Sequence, residues 1–227
     1  RDDEGPVTRT GGGLMDTVHD IGGRQGFGPI PNVTEDDARL FAEQWKARTW
    51  AIAMMSMNKL STDRTGWTLD WYRHVLERLP PAAYLSLDYF EKWMLALMVT
   101  SVDEGVAGVR EFIDGKASSG SFEYERPKPP AESPPASAAR FKPGDRIVAR
   151  RDISTMHTRL TGYVRGRPGV VDSVIGPQHF PDEKAVGTKR REQTYVVRFQ
   201  MSDLWPESAT SNDCVLIDMW DSYLEPV

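Results

Sequence analysis

The chain changes its hydrophobic period once, across a stretch rich in serine, alanine and proline between Lys116 and Arg140, and that switch limits the folds open to it. Upstream, apolar residues recur at three, four and seven, as on a helix; downstream they alternate, as on strands. The stretch itself carries Pro127, Pro129, Pro130, Pro134 and Pro135 and too few large apolar residues to fold alone. It reads as a linker that Phe122 and Tyr124 can pin. An α+β chain of several parts follows: a helical half, then a β half, each with a modest core of its own.

In the helical half, Thr34-Glu35-Asp36-Asp37 has the form of a capping box. Beyond it Ala38, Phe41, Trp45, Ile52 and Met55 form one stripe, and Trp50, Met54 and Met57 a second. A helix apolar on two sides predicts packing against another subunit as well as its own core. Leu69, Tyr72, Leu76 and Leu79 mark a second helix closed by Pro80-Pro81. Phe90, Trp93, Met94, Leu97 and Met98 mark a third with Asp88 as N-cap, and Ser101-Val102-Asp103-Glu104 opens a short fourth that Gly115 ends in a left-handed cap. After Phe141, alternation around Ile147, from Val170 to Ile175, from Tyr195 to Phe199 and from Val215 to Met219 predicts four or five strands. Turns are expected at Arg165-Gly166-Arg167-Pro168-Gly169 and at Ile175-Gly176-Pro177. Strands this short and closely spaced suit a small antiparallel barrel or roll.

Charge and composition exclude several classes of function. A net charge of −5 argues against binding driven by phosphate neutralisation, so no nucleic-acid partner is expected. No apolar run approaches the about 20 residues a bilayer requires, and no signal pattern is present, so no membrane association is expected and the expected compartment is the cytoplasm. Arg146, Arg150, Arg151, Arg159, Arg165 and Arg167 crowd one stretch, whereas Gln200 to Val227 holds six acidic residues and no basic ones. Both read as solvated surface, with some of the arginines free to face a partner. The lone Cys214 excludes an internal disulfide and reads as a small buried hydrophobe in a strand.

No self-sufficient catalytic constellation emerges. His19, His74, His157 and His179 lack metal-ligand spacing and read as surface or capping groups. Gly22, Gly23, Gly26 and Gly28 follow no predicted strand and run into Pro29, unlike a phosphate-binding loop. Two arginines stand out. Arg73 rises from the border of an apolar stripe, either toward a partly buried site or toward Glu77 four residues on. Arg159 lies in the loop Met156-His157-Thr158-Arg159, one of several arginines there.

The segment His19-Asp20-Ile21-Gly22-Gly23-Arg24-Gln25-Gly26-Phe27-Gly28-Pro29 is too rich in glycine for a regular element and reads as an arm that docks on another surface. Together with Leu69-Asp70-x-x-Arg73, Tyr84-Leu85-x-x-x-Tyr89-x-x-x-Trp93, His157-Thr158-Arg159, Tyr163-Val164-Arg165-Gly166 and the ending Asp218-Met219-Trp220-Asp221-Ser222-Tyr223-Leu224-Glu225-Pro226, it resembles the β subunit of nitrile hydratases. Those enzymes add water to a nitrile to give an amide. The resemblance runs from about Met15 to the C-terminus. It divides the chain into a disordered extension or expression remnant (1–14), an arm wrapping the α subunit (15–33), a helical domain (34–115), the linker (116–140) and a small β-barrel domain (141–227).

The resemblance implies that this chain binds no metal. The partner α subunit holds a non-corrin cobalt(III), or a non-haem iron(III), through a Cys-x-x-Cys-Ser-Cys loop with two cysteines oxidised to sulfinate and sulfenate. Arg73 and Arg159 then reach those anionic oxygens, where a planar guanidinium offers a fixed fork of donors. Leu69, Tyr72, Tyr89 and Trp93 border the substrate pocket, with plain core packing as the other account of Trp93. The implied assembly is an obligate heterodimer, two of each chain forming a heterotetramer, with a nitrile as substrate. A thiocyanate-hydrolase-like subunit, a metallochaperone-type assembly protein and a non-catalytic interaction module are the alternatives. The chain departs from the family at Met156, where glycine is common, over Asn58 to Trp67, which is longer, and over Thr188 to Thr194.

Overall fold

The computed structural model describes residues 18–20, 41, 43–59, 68–118, 136–152 and 156–227. The extension 1–14, most of the 15–33 arm, the Thr34 capping box and the linker prolines lie outside the described residues. The helical half consists of α1 (Gln44–Lys59), α2 (Leu69–Glu77), α3 (Pro81–Ser86), α4 (Tyr89–Asp103) and α5 (Val109–Asp114). Thr68 starts α2 by accepting the Trp71 N–H on its hydroxyl at 3.1 Å. Asp88 starts α4 as a full capping box: its carboxylate accepts from the Phe90 and Glu91 amides while Glu91 accepts from the Asp88 amide.

Two boundaries differ from the sequence expectation. Pro81 opens α3 instead of only ending its predecessor, because the first helical position needs no amide donor. Ser101 to Asp103 complete α4, and the short helix begins at Val109. The Ser101 hydroxyl donates back to the Leu97 carbonyl at 2.7 Å, the back-bonding of a serine inside a helix and not the geometry of an N-cap. Gly115 ends α5 with φ +62°, the left-handed cap expected of it. Ala53, Tyr72, Val75, Ala96 and Leu97 form the core where α1, α2 and α4 meet. Ile52 and Met55 remain exposed on the outer face of α1.

The β half holds β1 (Arg146–Ala149), β2 (Pro168–His179), β3 (Arg191–Gln200), β4 (Cys214–Trp220) and β5 (Leu224–Pro226), with short helices α6 (Pro181–Lys184) and α7 (Met201–Leu204). All pairings are antiparallel and the order is β4-β3-β2-β1-β5. The fold is thus α+β. The sheet is not closed into the expected barrel: the turn Asp221–Tyr223 carries the chain from one sheet edge to the other, and β5 pairs with β1 and not with β4. A second, separate core is built on Ile147, Val171, Tyr195, Val197, Phe199 and Met219.

The stretch Ile175-Gly176-Pro177 is not a turn. It lies inside β2, where register shifts between Val171 and Ser173 and between Val174 and Gly176 mark bulges, and the pairing continues to His179 opposite Arg191. Gly176 has φ +114°, so it absorbs the irregularity that a side chain would resist. Cys214 is exposed, because it begins an edge strand on the face opposite to Val215, Ile217 and Met219, which pack against the core. Among the described residues no helix is long and apolar enough to cross a membrane.

Gly169 is required by close approach. A Cβ there would stand 2.8 Å from Val197 Cγ1 and 2.9 Å from Phe199 Cε1, both wholly buried. Gly169→Ala is therefore expected to destabilise the β half by about 1–3 kcal/mol through overpacking. Thermal unfolding of the assembled protein checks this, and an unchanged midpoint contradicts it.

Candidate functional site

Helix α2 presents Asp70, Arg73 and Glu77 at spacings of three and four, along one side facing the β half. Opposite them runs the loop 156–160, between β1 and β2. His157 is fully buried at the junction, its Nδ1 2.9 Å from Glu77 Oε2 and its Nε2 3.7 Å from Asp70 Oδ1. The first contact is a hydrogen bond and the second a charge contact. The same Asp70 oxygen accepts a hydrogen bond from Arg73 Nη1 at 3.2 Å, while its other oxygen lies 3.3 Å from Lys184 Nζ of α6. Asp70 is thereby the point at which α2, α6 and the Arg159 loop converge.

The charges in this cluster sustain one another. Burial alone would raise the Asp70 carboxyl, but His157 and Lys184 outweigh it and hold the group at about 2. Burial likewise acts to lower His157, and the Asp70 and Glu77 carboxylates outweigh it, so the ring keeps its proton to higher pH than a free imidazole. His74, also buried, has the opposite balance: desolvation pushes it down, and neither ring nitrogen has a hydrogen-bond partner among the described residues.

On its far side the loop is fixed by the C-terminal motif. The Tyr223 hydroxyl accepts the Arg159 amide N–H at 3.0 Å and the Thr158 hydroxyl at 3.4 Å, and donates to Asp182. Burial raises both the Asp182 carboxyl and the Tyr223 hydroxyl, which keeps the phenol a donor. Behind it a cavity of about 340 Å³ is walled by Leu160, Asp182, Tyr223 and the arginines 150 and 190. Close by, Asp20 of the arm accepts the Gly162 amide N–H at 2.7 Å, so the described part of the arm docks on this chain's own β half.

The structure brings the Arg73 helix and the Arg159 loop together. The Arg73 side chain is 41% exposed and spends one nitrogen on Asp70, not on Glu77, whose carboxylate faces His157. Arg159 is exposed, and its guanidinium has no hydrogen-bonding partner among the described residues. Tyr89, 60% exposed, and partly buried Trp93 are neighbours on α4 with ring centroids 6.0 Å apart. Trp93 also packs between Trp50 at 5.4 Å and Tyr72 at 5.9 Å. Tyr72 lies behind it, 2% exposed in the helical core, and Leu69 stands 37% exposed at the start of α2.

The expectation that the histidines are surface or capping groups is overturned for His157 and His74. Two carboxylates compensate His157 for burial, and both come from α2, 80 residues upstream for the closer one. Asp182 and Lys184 likewise escaped sequence reasoning, and Asp70, Glu77 and Tyr223 entered it only as motif residues or as a neighbour of Arg73, not as partners of the Arg159 loop. The available signal was the spacing of Asp70 and Glu77, two turns apart and flanking Arg73 on the same helix. Among the described residues no group of three or more His, Cys, Asp or Glu is arranged to hold a metal ion.

Comparison with known proteins identifies the scaffold. A family model described as the N-terminal part of the nitrile hydratase β subunit matches residues 15–140, and its C-terminal counterpart matches residues 130–226. The low-molecular weight cobalt-containing nitrile hydratase subunit β of Rhodococcus rhodochrous is 31% identical, over 93% of this chain and 100% of that one. The nitrile hydratase subunit β of Pseudomonas chlororaphis is 31% identical over 93% and 96%, and the cobalt-containing one of Pseudonocardia thermophila 28% over 94% and 97%. A solved thiocyanate hydrolase from Thiobacillus thioparus is 26% identical over 42% of this chain and 82% of that one, with a TM-score of 0.39. With both halves matched and the relatives covered almost end to end, the chain belongs to the nitrile hydratase β-subunit family and works as part of that hydro-lyase.

Proposed function

We propose that this chain completes the active site of a nitrile hydratase by presenting Arg73 and Arg159 to acidic oxygens on a metal-bearing α subunit. A β subunit implies an α partner, and relatives from Rhodococcus rhodochrous and Pseudonocardia thermophila are described as cobalt-containing. In this reading the partner holds the cobalt through oxidised cysteines, and this chain supplies none of the metal's ligands. The carrying observation is Asp70 Oδ1, which is shared by Arg73 and His157 and so draws an arginine-bearing helix to an arginine-bearing loop.

The donor set of this chain suits such a group. The exposed guanidinium of Arg159 and the unspent nitrogens of Arg73 are cationic, planar donors on one junction. When bound, the trivalent metal supplies Lewis-acid activation of the nitrile or of water. The arginines fix and neutralise the oxidised loop, while Tyr89, with Trp93 as wall, orients the substrate and Leu69 and Tyr72 complete the pocket. Net, the C≡N carbon gains oxygen from one water and the nitrogen gains both its protons, giving the amide. The exposed Ile52 and Met55 of α1 fit cover by the α subunit, which the arm would wrap, the two chains forming a heterodimer that pairs into a heterotetramer in the cytoplasm.

Co-expression with the α subunit tests the reading. It is expected to yield a complex of about 1:1 stoichiometry with one trivalent metal per heterodimer and amide formation from a nitrile, whereas the β chain alone is inactive. A stable, metal-free monomer that ignores the α subunit overturns it.

A further inference from the structure

We propose that the cavity behind the Arg159 loop is a binding site for a primary carboxamide, the chemical class of the product. Its walls divide by exposure. Leu160, Phe180 and Tyr223 are buried and form an apolar floor, whereas Arg150 and Asp152 are exposed and stand at the mouth. At about 340 Å³ it has room for a short alkyl chain and a planar head group. Most polar groups of the wall are already spent on one another. The Tyr223 hydroxyl accepts the Arg159 amide N–H and donates to Asp182. The Ser222 hydroxyl accepts from Arg190 at 2.8 Å and donates to Glu192, and Arg190 pairs with Glu183 as well. Arg150 gives Nη1 to the Ser222 carbonyl at 3.3 Å and turns Nε toward Glu225 at 3.6 Å, which leaves Nη2 without a partner among the described residues. Asp152 makes no hydrogen bond or ion pair among the described residues. One cationic donor edge and one carboxylate thus remain unspent at the mouth.

That pair selects the ligand. An anion would suit Arg150 but meet Asp152 and Asp182 in the wall, with Glu183, Glu192 and Glu225 beside the two arginines. A cation would suit Asp152 but meet Arg150 and Arg190. A primary carboxamide carries a carbonyl acceptor and two N–H donors in one plane, with no net charge to strip of water, so it serves Arg150 and Asp152 together. A nitrile has no N–H to give Asp152, and a site that hydrogen-bonds such a donor rejects the analogue that lacks it. The wall therefore favours product over substrate. Its floor is continuous with the loop: Leu160 follows Arg159 in sequence, and Tyr223 holds the Arg159 amide. An amide lodged there stiffens that loop and slows turnover. The effect on turnover deepens the reading of Arg159 given above and rests on it, whereas the binding does not.

Hydrogen exchange of the full complex with the α subunit tests the site, with propionamide, butan-2-one, propionate and alanine as probes. Propionamide at about ten times its dissociation constant is expected to slow exchange at the Leu160, Ser222 and Tyr223 amides by up to about tenfold. Butan-2-one, which has the same shape without the N–H donors, and propionate are expected to leave exchange unchanged. Asp152→Ala is expected to abolish the protection at parental kcat, and Asp152→Asn, which keeps an acceptor oxygen, to retain it. No protection by propionamide, equal protection by butan-2-one, or protection by propionate or alanine in its place overturns the proposal, and these outcomes need only the parent complex should Asp152→Ala fail to assemble. Protection that survives Asp152→Ala overturns it too. In steady-state kinetics, added propionamide is expected to lower kcat as well as raise KM, and Asp152→Ala to remove the effect on kcat alone. Protection with an unchanged kcat keeps the amide site and removes its link to turnover through Arg159.

Discussion

Arg73→Lys in the assembled enzyme is expected to lower kcat about 10- to 100-fold while leaving assembly and thermal stability near those of the parent. The separation of the two effects follows from how Arg73 is held. Its side chain is 41% exposed, and its one ion pair among the described residues is with a carboxylate that keeps His157 and Lys184 when Arg73 is changed. Loss of such a half-exposed pair costs about 0–1 kcal/mol. Function depends instead on the rest of the fork. Arginine can grip Asp70 through one nitrogen and still direct others outward, whereas a lysine ammonium already drawn to Asp70 is a point charge that cannot serve two acceptors in fixed directions. Arg159→Lys is expected to behave in the same way, since its backbone amide, which Tyr223 holds, is untouched by the substitution. Steady-state kinetics with metal content and size measured on the same sample decide it: near-parental kcat with intact assembly removes the role assigned to Arg73.

The contrast between what the sequence disclosed and what it hid has a physical basis at particular residues. Asp88 with Glu91 and Gly115 with φ +62° are local devices, satisfied by neighbours within one turn, and both are legible from spacing alone. Gly176-Pro177 looks the same locally as a turn, yet long pairing of β2 with β3 absorbs it as a bulge. Cys214 reads as buried from its place in an alternating run, but it falls on the opposite face from Val215, Ile217 and Met219, which pack on the core, and shares its face with exposed Leu216. The site divides along the same line. Arg73 and Arg159 could be singled out by stripe position and motif, while the partner of Glu77 could not: helical spacing offers Arg73 at i−4, and His157, 80 residues away, takes it. Burial of an imidazole between two carboxylates leaves no periodic trace, because the compensation comes from another part of the chain.

The largest stability change is expected from Glu77→Ala, and it should depend on pH. Removing one partner of a buried charge pair leaves the other uncompensated, which costs about 3–5 kcal/mol. Here the stranded group is His157, wholly buried, with Asp70 Oδ1 at 3.7 Å as its remaining counter-charge. Its folded-state pKa is raised, so its contribution is fully present below the unfolded value near about 6.5 and is lost as pH rises through the folded value. The gap between parent and Glu77→Ala is therefore widest in mildly acidic solution. It narrows at alkaline pH toward the about 1–3 kcal/mol of a buried group left without its hydrogen bond. Other groups facing the ring set the remaining limbs. Asp70, at about 2, contributes stability that is present above the unfolded value near 3.8 and lost as pH falls through about 2. Lys184 and Arg73 face the Asp70 carboxylate, and Asp182 feels the His157 charge across the loop, its carboxyl nevertheless raised by burial. His74 runs the other way, because desolvation lowers its folded pKa and destabilises the protein as pH falls below the unfolded imidazole value; the Glu77 charge partly offsets that desolvation, so its loss adds to the gap on the acid side. Denaturant unfolding of both proteins across this range measures that difference directly. A gap that is flat with pH, or that widens toward alkaline pH, means His157 does not carry the charge that Glu77 is there to meet.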